Sequence, residues 1–538
     1  MSAATTEAPP LDPVSGAAFV RQSSGLVKLG TPWRILVMAV TVNGIGLFMA
    51  NFYVAGPGTF PHMNLMLAVL FACSAQFLFN GAYALLAGAF PRSGGEYVYI
   101  SRVLGPFVGF VANVGAYVAF CFYAAVGAFL CVTFGLSPLL AVYGVITDAT
   151  WATDAGTWLA DTNHALLIGT AIVIASTVLC CFSMRVYYRY QAITFWAGMT
   201  CFVVLLIVML VSSHADFVDG LNAFGQKTGA GANVYDAVTA NAQKAGVPSG
   251  YTLWATLSMA ALLTTVTPTG YVGGEVRTPL RTQLTGMLGG TAIIAAIFLI
   301  VPLLISHVVG LDWNKDAAFL NSAGQFPVSQ TPLYTFYAFV LTTSPVLLIV
   351  MGLGLLLLTA ILVPQQIFMP TRMIFAWSFD RLVPPQLARV NPRTGAPVIA
   401  TLFTAVVVEA LLILFAKGKI GYFNPILIVG TVWGIVGLTA FLFPILPRAR
   451  RQWEASPIQF KVAGIPVLSI LGAISVAYWA LAVYIAFTTD ALGANKSSNL
   501  WFCALTFAIP MVYFAGAYAF RQRQGVNLNA TFAELPPE

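Results

Sequence analysis

The groups best placed to do chemistry in this sequence are main-chain groups, set free at two points where long apolar runs are interrupted. The first interruption reads Val42-Asn43-Gly44-Ile45-Gly46-Leu47-Phe48. Each of its glycines weakens a helix by roughly 1 kcal/mol relative to alanine. The second reads Leu263-Thr264-Thr265-Val266-Thr267-Pro268-Thr269-Gly270. There Pro268 removes a backbone donor and Gly270 loosens the same turn. In a lipid-like medium an unpaired backbone group costs several kcal/mol, so broken backbone is tolerated only against protein or a water-filled cavity. Freed N–H groups at the start of a half-helix attract a carboxylate, and freed carbonyls at the end of one can hold an ammonium or a metal cation. A zwitterion carries both charges a few ångströms apart. Either break alone is explained by packing or a kink; two in matching places point to a binding site for a transported solute.

Side-chain chemistry is sparse by comparison. Glu409 stands inside an apolar run, where a carboxylate is costly and marks either an ion path or a helix-paired structural group. Glu275 sits at the end of the second interrupted run beside Arg277, as a gate latch to an inner-loop arginine or as a surface ion pair. Glu96 and Arg102, and Arg372 and Asp380, invite the same two readings, and Tyr117 and Tyr123 are possible cavity aromatics. The four histidines His62, His164, His214 and His307 show no metal-ligand spacing, and none of the seven cysteines stands in a CxxC pair. With no phosphate loop and no clustered acid and base, neither an enzyme nor a metal or cofactor is expected.

The elements that must position these groups follow from composition. Apolar residues make up 59% of the chain and charged ones 8%, against about 25% charged in ordinary soluble domains, so lipid is the expected solvent. Apolar runs of membrane-crossing length predict twelve spans: 33–55, 66–90, 105–135, 164–183, 190–212, 252–272, 284–309, 331–363, 397–416, 422–446, 464–487 and 500–520. The third and eighth are long enough to tilt or to extend beyond the bilayer. With the N-terminus inside, every arginine falls on the inner side, and only Lys227, Lys244, Lys315, Lys417, Lys419 and Lys496 fall outside. That is the positive-inside bias, which one span too many or too few would spoil. The net charge of +7 is scattered rather than striped, which excludes a nucleic-acid partner. Residues 1–30 read as an inner tail without a cleavable signal, 31–523 as one transmembrane domain, 213–250 as an exposed outer loop, and 524–538 as an inner tail.

The breaks fall in the first and sixth spans, each of which would open a five-helix unit (33–212 and 252–446), with 464–520 as two added helices. An odd number of helices per unit makes the two units inverted relative to each other.

The inner segments carry a resemblance. Pro91-Arg92-Ser93-Gly94-Gly95-Glu96-Tyr97-Val98-Tyr99 with Arg102-Val103-Leu104-Gly105-Pro106 resembles the signature after the second span of the amino acid–polyamine–organocation (APC) superfamily. Gly44-Ile45-Gly46-Leu47-Phe48, Gly274-Glu275-Val276-Arg277-Thr278-Pro279, Asp380-Arg381-Leu382-Val383-Pro384 and Asn391-Pro392-Arg393-Thr394-Gly395-Ala396-Pro397 are similar to further segments of it. The likeness runs from about residue 25 to 520. It implies an all-α five-plus-five inverted-repeat permease with broken helices 1 and 6, working by alternating access in the cell membrane. Its substrates would be amino acids, or polyamines and other organic amines, with a coupled proton or sodium ion possible. A substrate-binding receptor on the same fold is the other reading. By position, the N–H groups of Ile45 and Gly46 would hold a substrate carboxylate, with Asn43 and Gly44 in the same segment. The carbonyls of Val42 and of Ala261 to Thr265 would hold the amine. Thr264, Thr265 and Thr267 stand where the superfamily usually has a glycine–aromatic cluster, which leaves the substrate open. No lysine stands in 190–212, where some members carry a fixed charge in place of sodium.

Overall fold

The structure is a computed structural model that describes residues 29–263, 266, 268–525 and 532, without the side chain of Asn424. The first predicted span divides as its glycines require. Helix α1 (Pro32–Thr41) starts on a Thr31 cap with Pro32 in its first turn, where a missing N–H costs nothing. The chain then unwinds through 42–46, with Gly44 at a φ of +57°, and resumes as α2 (Leu47–Thr59). Next come α3 (Leu65–Ala89) and the short α4 (Glu96–Val103). Helix α5 (Pro106–Leu130) continues through a π-helical turn at Cys131–Leu136 into α6 (Ser137–Thr147). The third span therefore runs well past its predicted end at 135. Helices α7 (Thr150–Ala160), α8 (Thr162–Cys180) and α9 (Met184–Val211) complete the first half.

The segment read as an outer loop is folded. Helices α10 (His214–Thr228) and α11 (Val234–Lys244) bury Phe217, Leu221, Val234 and Val238. Their polar outer faces hid that amphipathic pattern among Gly, Ala and Asn. Helix α12 (Leu253–Leu262) is half a span. The chain beyond it makes only short 3₁₀ turns at Thr269–Tyr271 and Gly273–Glu275 before α13 (Pro279–Val308). Helix α14 (Leu311–Ser322) sets Trp313 in a stack on Tyr235, 5.2 Å between centroids, which joins it to α11.

The eighth span is displaced from its predicted place at 331–363. Residues Tyr334–Val340 form a separate short helix, α15, and the span itself is α16 (Pro345–Ala360) with α17 (Leu362–Phe379). Pro345 starts the helix. Gln365, Gln366 and Arg372 made residues 364–379 read as loop, yet all three are buried on α17. Helices α18 (Val398–Ala416) and α19 (Asn424–Leu442) follow, then α20 (Arg450–Glu454), the antiparallel pair β1 (Lys461–Val462) and β2 (Ile465–Pro466), α21 (Val467–Thr488) and α22 (Ser497–Arg523).

Ten of these helices are long and apolar enough to cross a membrane among the described residues, and α1 and α12 are shorter apolar helices. The protein is an all-α polytopic membrane protein. Its outer surface carries large apolar side chains such as Val211, Val406, Trp501 and Val512, which suits lipid rather than water. Between helices, small residues allow backbones to meet. Where α19 crosses α21, a Cβ on Gly472 would lie 2.4 Å from the Phe441 nitrogen. Gly472→Leu should therefore destabilise the protein by about 1–3 kcal/mol or more, read as a lost monodisperse peak on size exclusion in detergent. Gly516→Leu on α22, where a Cβ meets nothing within 4 Å, should leave that peak unchanged.

Candidate functional site

The two breaks face a common cavity of about 120 Å³. From the first come Val42, Asn43 and Phe48, and from the second Leu263, Val266 and Pro268. Helix α5 adds Phe120 and Tyr123, α17 adds Gln366, and Tyr422 and Trp433 close the wall from α19 and the turn before it. Phe48 lies edge-on to Tyr123 (6.2 Å) and tilted to Tyr422 (6.3 Å). No Asp, Glu, Lys, Arg or His lines the cavity among the described residues. Its polar groups are neutral ones, Asn43, Asn51, Gln366 and the two tyrosines.

At the first break, Gly44, Ile45 and Gly46 are buried and stand behind the lining residues Val42, Asn43 and Phe48. Met49 N–H donates to Gly44 O and Leu47 N–H to Thr359 Oγ1, whereas the N–H groups of Ile45 and Gly46 reach no acceptor among the described residues. They stand at the amino end of α2, whose dipole is positive. A Cβ on Gly46 would lie 2.6 Å from Thr359 Oγ1 and 2.8 Å from Leu355 O, so only glycine lets α2 start this close to α16. The carbonyl end is more occupied than expected. Val42 O accepts from Gln366 Nε2 at 3.3 Å, and Met38 O accepts from Gln365 Nε2 at 2.7 Å. At the second break, Gln76 Nε2 and Tyr478 Oη both donate to Leu263 O, and Tyr478 also reaches Ala260 O. Ala261 is buried but does not line the cavity, while its neighbours Leu262 and Leu263 do. Thr264, Thr265 and Thr267 lie outside the described residues.

Two buried ion pairs involve the sequence-predicted charges. Arg102 makes a two-pronged ion pair with Asp380 at 2.7 and 2.9 Å, and Tyr97 Oη donates to the same carboxylate at 2.8 Å. Arg372 Nε donates to Glu275 Oε1 at 3.1 Å, the pairing of Glu275 with an arginine that the latch reading requires. Gly30 N–H donates to Glu275 O and pairs with Val276 as a parallel bridge, while Ser93 bridges Val272. Phe532, near the chain's end, is buried with its ring 5.1 Å from the Arg102 guanidinium. Glu96 takes its hydrogen bonds from neutral groups, Tyr83 at 2.9 Å and Asn113 at 2.7 Å. Burial pushes its carboxyl up to about 7, against the hydrogen bonds from Tyr83 and Asn113 that pull it down.

Glu409 is remote from both clusters. It joins α18 to α8 through Thr170 Oγ1 at 2.6 Å, with Oε2 unpartnered. Of the two tyrosines, Tyr123 lines the cavity, and Tyr117 instead donates to Thr404 and packs on Trp377. Sequence reasoning missed Gln365 and Gln366 because it placed them in a loop. A pair of carboxamides beside Pro364 in a run otherwise rich in Leu, Ile and Phe was the available signal. The cysteines are free thiols.

Two broken helices thus meet at a neutral cavity in a polytopic membrane bundle. A family model described as amino acid permease matches residues 31–510, and the chain belongs to that family, within the APC superfamily. The family assigns it the transport of amino acids or related organic compounds. No curated protein matches the chain closely enough to narrow this further.

Removing one partner of a buried ion pair strands the other charge and costs roughly 3–5 kcal/mol. Arg372→Ala should therefore lower the melting temperature in detergent sharply. Adding Glu275→Gln to that variant should restore much of the loss, because no unpaired charge then remains.

Proposed function

We propose that this protein is a secondary active carrier that moves a small zwitterion, in the first place a neutral amino acid, across the cell membrane by alternating access. One observation supports the reading above the others. The N–H groups of Ile45 and Gly46, without an acceptor among the described residues, stand at the positive end of α2, at the break whose Val42, Asn43 and Phe48 line an aromatic cavity with no charged lining among the described residues. Such N–H groups can hold a carboxylate without a basic side chain. The ring faces of Phe48, Tyr422 and Trp433 attract an ammonium group and offer an apolar seat for a side chain. A polyamine would carry two or more positive charges into a site with no carboxylate to meet them, which counts against the other reading of the substrate.

In this reading the two units of five helices are inverted repeats, both chain ends face the cytoplasm, and the Glu275–Arg372 and Arg102–Asp380 pairs form the inner gate. That gate opens when one half rocks against the other. Glu96 braces the gate through Tyr83 and Asn113, and Glu409 is a structural carboxyl between α8 and α18. Thr264, Thr265 and Thr267 remain candidates for the amine side of the site.

The test is radiolabelled uptake by the purified protein in liposomes, with neutral, cationic and acidic amino acids and putrescine. Saturable uptake or exchange of a neutral amino acid, with little competition from putrescine, is the expected outcome. Saturable binding without movement of any solute would make the protein a receptor instead. Trp433→Ala should raise KM by about tenfold or more, as loss of one well-packed aromatic contact of 1–2 kcal/mol would, with a smaller effect on maximal rate.

A further inference from the structure

Among the described residues, the side chains of Glu96, Glu275 and Asp380 are the carboxyls buried completely. Two of them have a countercharge, Glu275 in Arg372 and Asp380 in Arg102. Glu96 pairs with no cation among the described residues. Its partners are neutral: Tyr83 Oη donates to Oε2 at 2.9 Å and Asn113 Nδ2 to Oε1 at 2.7 Å. A buried carboxylate without a countercharge is costly, and a proton relieves that cost. The two oxygens differ in what they can do. Trp377 Nε1 donates to Asn113 Oδ1 at 2.7 Å, which fixes that amide with Nδ2 toward Glu96. Oε1 therefore has a donor whether Glu96 is ionised or neutral. The Tyr83 hydroxyl can donate or accept, so Oε2 is the oxygen with room for a proton.

We propose that Glu96 binds a proton that moves with the solute, and that Tyr83 and Trp433 carry the effect of its arrival to the cavity. The inference rests on the reading of the chain as a carrier. When a proton arrives from water, an O–H bond forms at Oε2, the carboxyl becomes neutral, and Tyr83 changes from donor to acceptor. The charge-assisted bond between α4 and α3, the stronger of the two, is then lost. Tyr83 stands between Glu96 and the cavity, with its ring edge-on to the lining residue Trp433 at 5.8 Å. A second route runs through the turn after Pro268. Gly94 N–H, two residues before Glu96, donates to Tyr271 O at 3.3 Å, and the Tyr271 ring meets the lining residue Phe120 edge-on at 5.4 Å. Helix α3 packs on α13 and α12, and α5 on α17 and α18, so the bonds of one carboxyl reach both groups of helices.

Two measurements on the full-length purified protein test it, both with Glu96→Gln. The glutamine amide gives an acceptor to Asn113 and a donor to Tyr83, as the protonated acid does. The titratable and charged groups that the packed elements bring toward Glu96 are Tyr83 of α3, Tyr97, Tyr99 and Arg102 of α4, Tyr117 and Cys121 of α5, Arg372 of α17, Tyr271 and Glu275 of the turns after α12, Asp380 and Arg448. Burial raises the Glu275 carboxyl as well, with Arg372 pulling it down, so the substitution is made at Glu96 itself. The first measurement needs no substrate. The folded Glu96 carboxyl titrates at about 7 instead of 4.5, so the folded state holds the proton more tightly than the unfolded chain. The stability this gives is present at low pH and is lost as pH rises from about 4.5 to about 7. The wild type should melt close to Glu96→Gln near pH 5 and several degrees below it near pH 8. A difference in melting temperature that is the same at both pH values overturns the proton site.

The second measurement reads transport. In liposomes that take up a neutral amino acid, an inward proton gradient should raise the initial rate of the wild type by about fivefold or more, the floor of ordinary coupling. A protonophore should abolish the rise, and Glu96→Gln should show none. A variant that the gradient stimulates like the wild type overturns the proposal, and so does a wild type indifferent to the gradient. The wild-type result decides alone should Glu96→Gln fail to fold. A wild type that moves none of the solutes fails as a carrier, while the two melting curves still report whether Glu96 takes up the proton.

Discussion

The constraint on which the rest of this structure depends is the fate of backbone groups released at mid-depth in the bundle. Unwinding residues 42–46 frees donors at the start of α2 and acceptors at the end of α1. Lipid can satisfy neither, and leaving them bare would cost several kcal/mol each. The structure treats the two ends differently. Acceptors at the end of α1 are met by Gln365 and Gln366, and the acceptor closing α12 by Gln76 and Tyr478. The donors of Ile45 and Gly46 meet no acceptor among the described residues. A site that is half satisfied in this way favours a ligand with an anionic head over a bare cation.

The use of carboxamides and hydroxyls in place of charges at this depth has a physical rationale. A buried ion needs a partner and several hydrogen bonds before its desolvation cost is recovered, whereas an amide offers both a donor and an acceptor with no net charge. The second break repeats the device. Gln283 accepts from Thr269 Oγ1 at 2.7 Å, and Asn80 joins α3 to α13 through Thr291. The buried full charges are instead paired with each other, Arg102 with Asp380 and Arg372 with Glu275.

Much of this was legible in the sequence, for reasons that mark where it stopped being so. Glycine pairs and a proline in apolar runs have few explanations, so the first break was placed within a residue or two, and the charge asymmetry argued for the number of spans. The pairing of Glu275 with an arginine was legible because a carboxylate at a span's end needs a cation. The eighth span was misplaced because polarity is a poor guide to depth when the polar groups are there to serve a broken helix. Gln365 and Gln366 read as loop for the same property that makes them necessary at the end of α1. The outer helices α10 and α11 were read as loop because their apolar faces are narrow and interrupted by Gly and Asn. Ala261 was carried over by counting, and a shift of one residue exchanges a buried methyl for the cavity-lining Leu262.

Helix α1 packs on α13, and α17 on α5, α8 and α18. Gln365 and Gln366 bond α17 to the end of α1, and Arg372 bonds it to Glu275. The amides at the broken helix meet its carbonyls without burying a net charge, and the buried full charges are paired with one another.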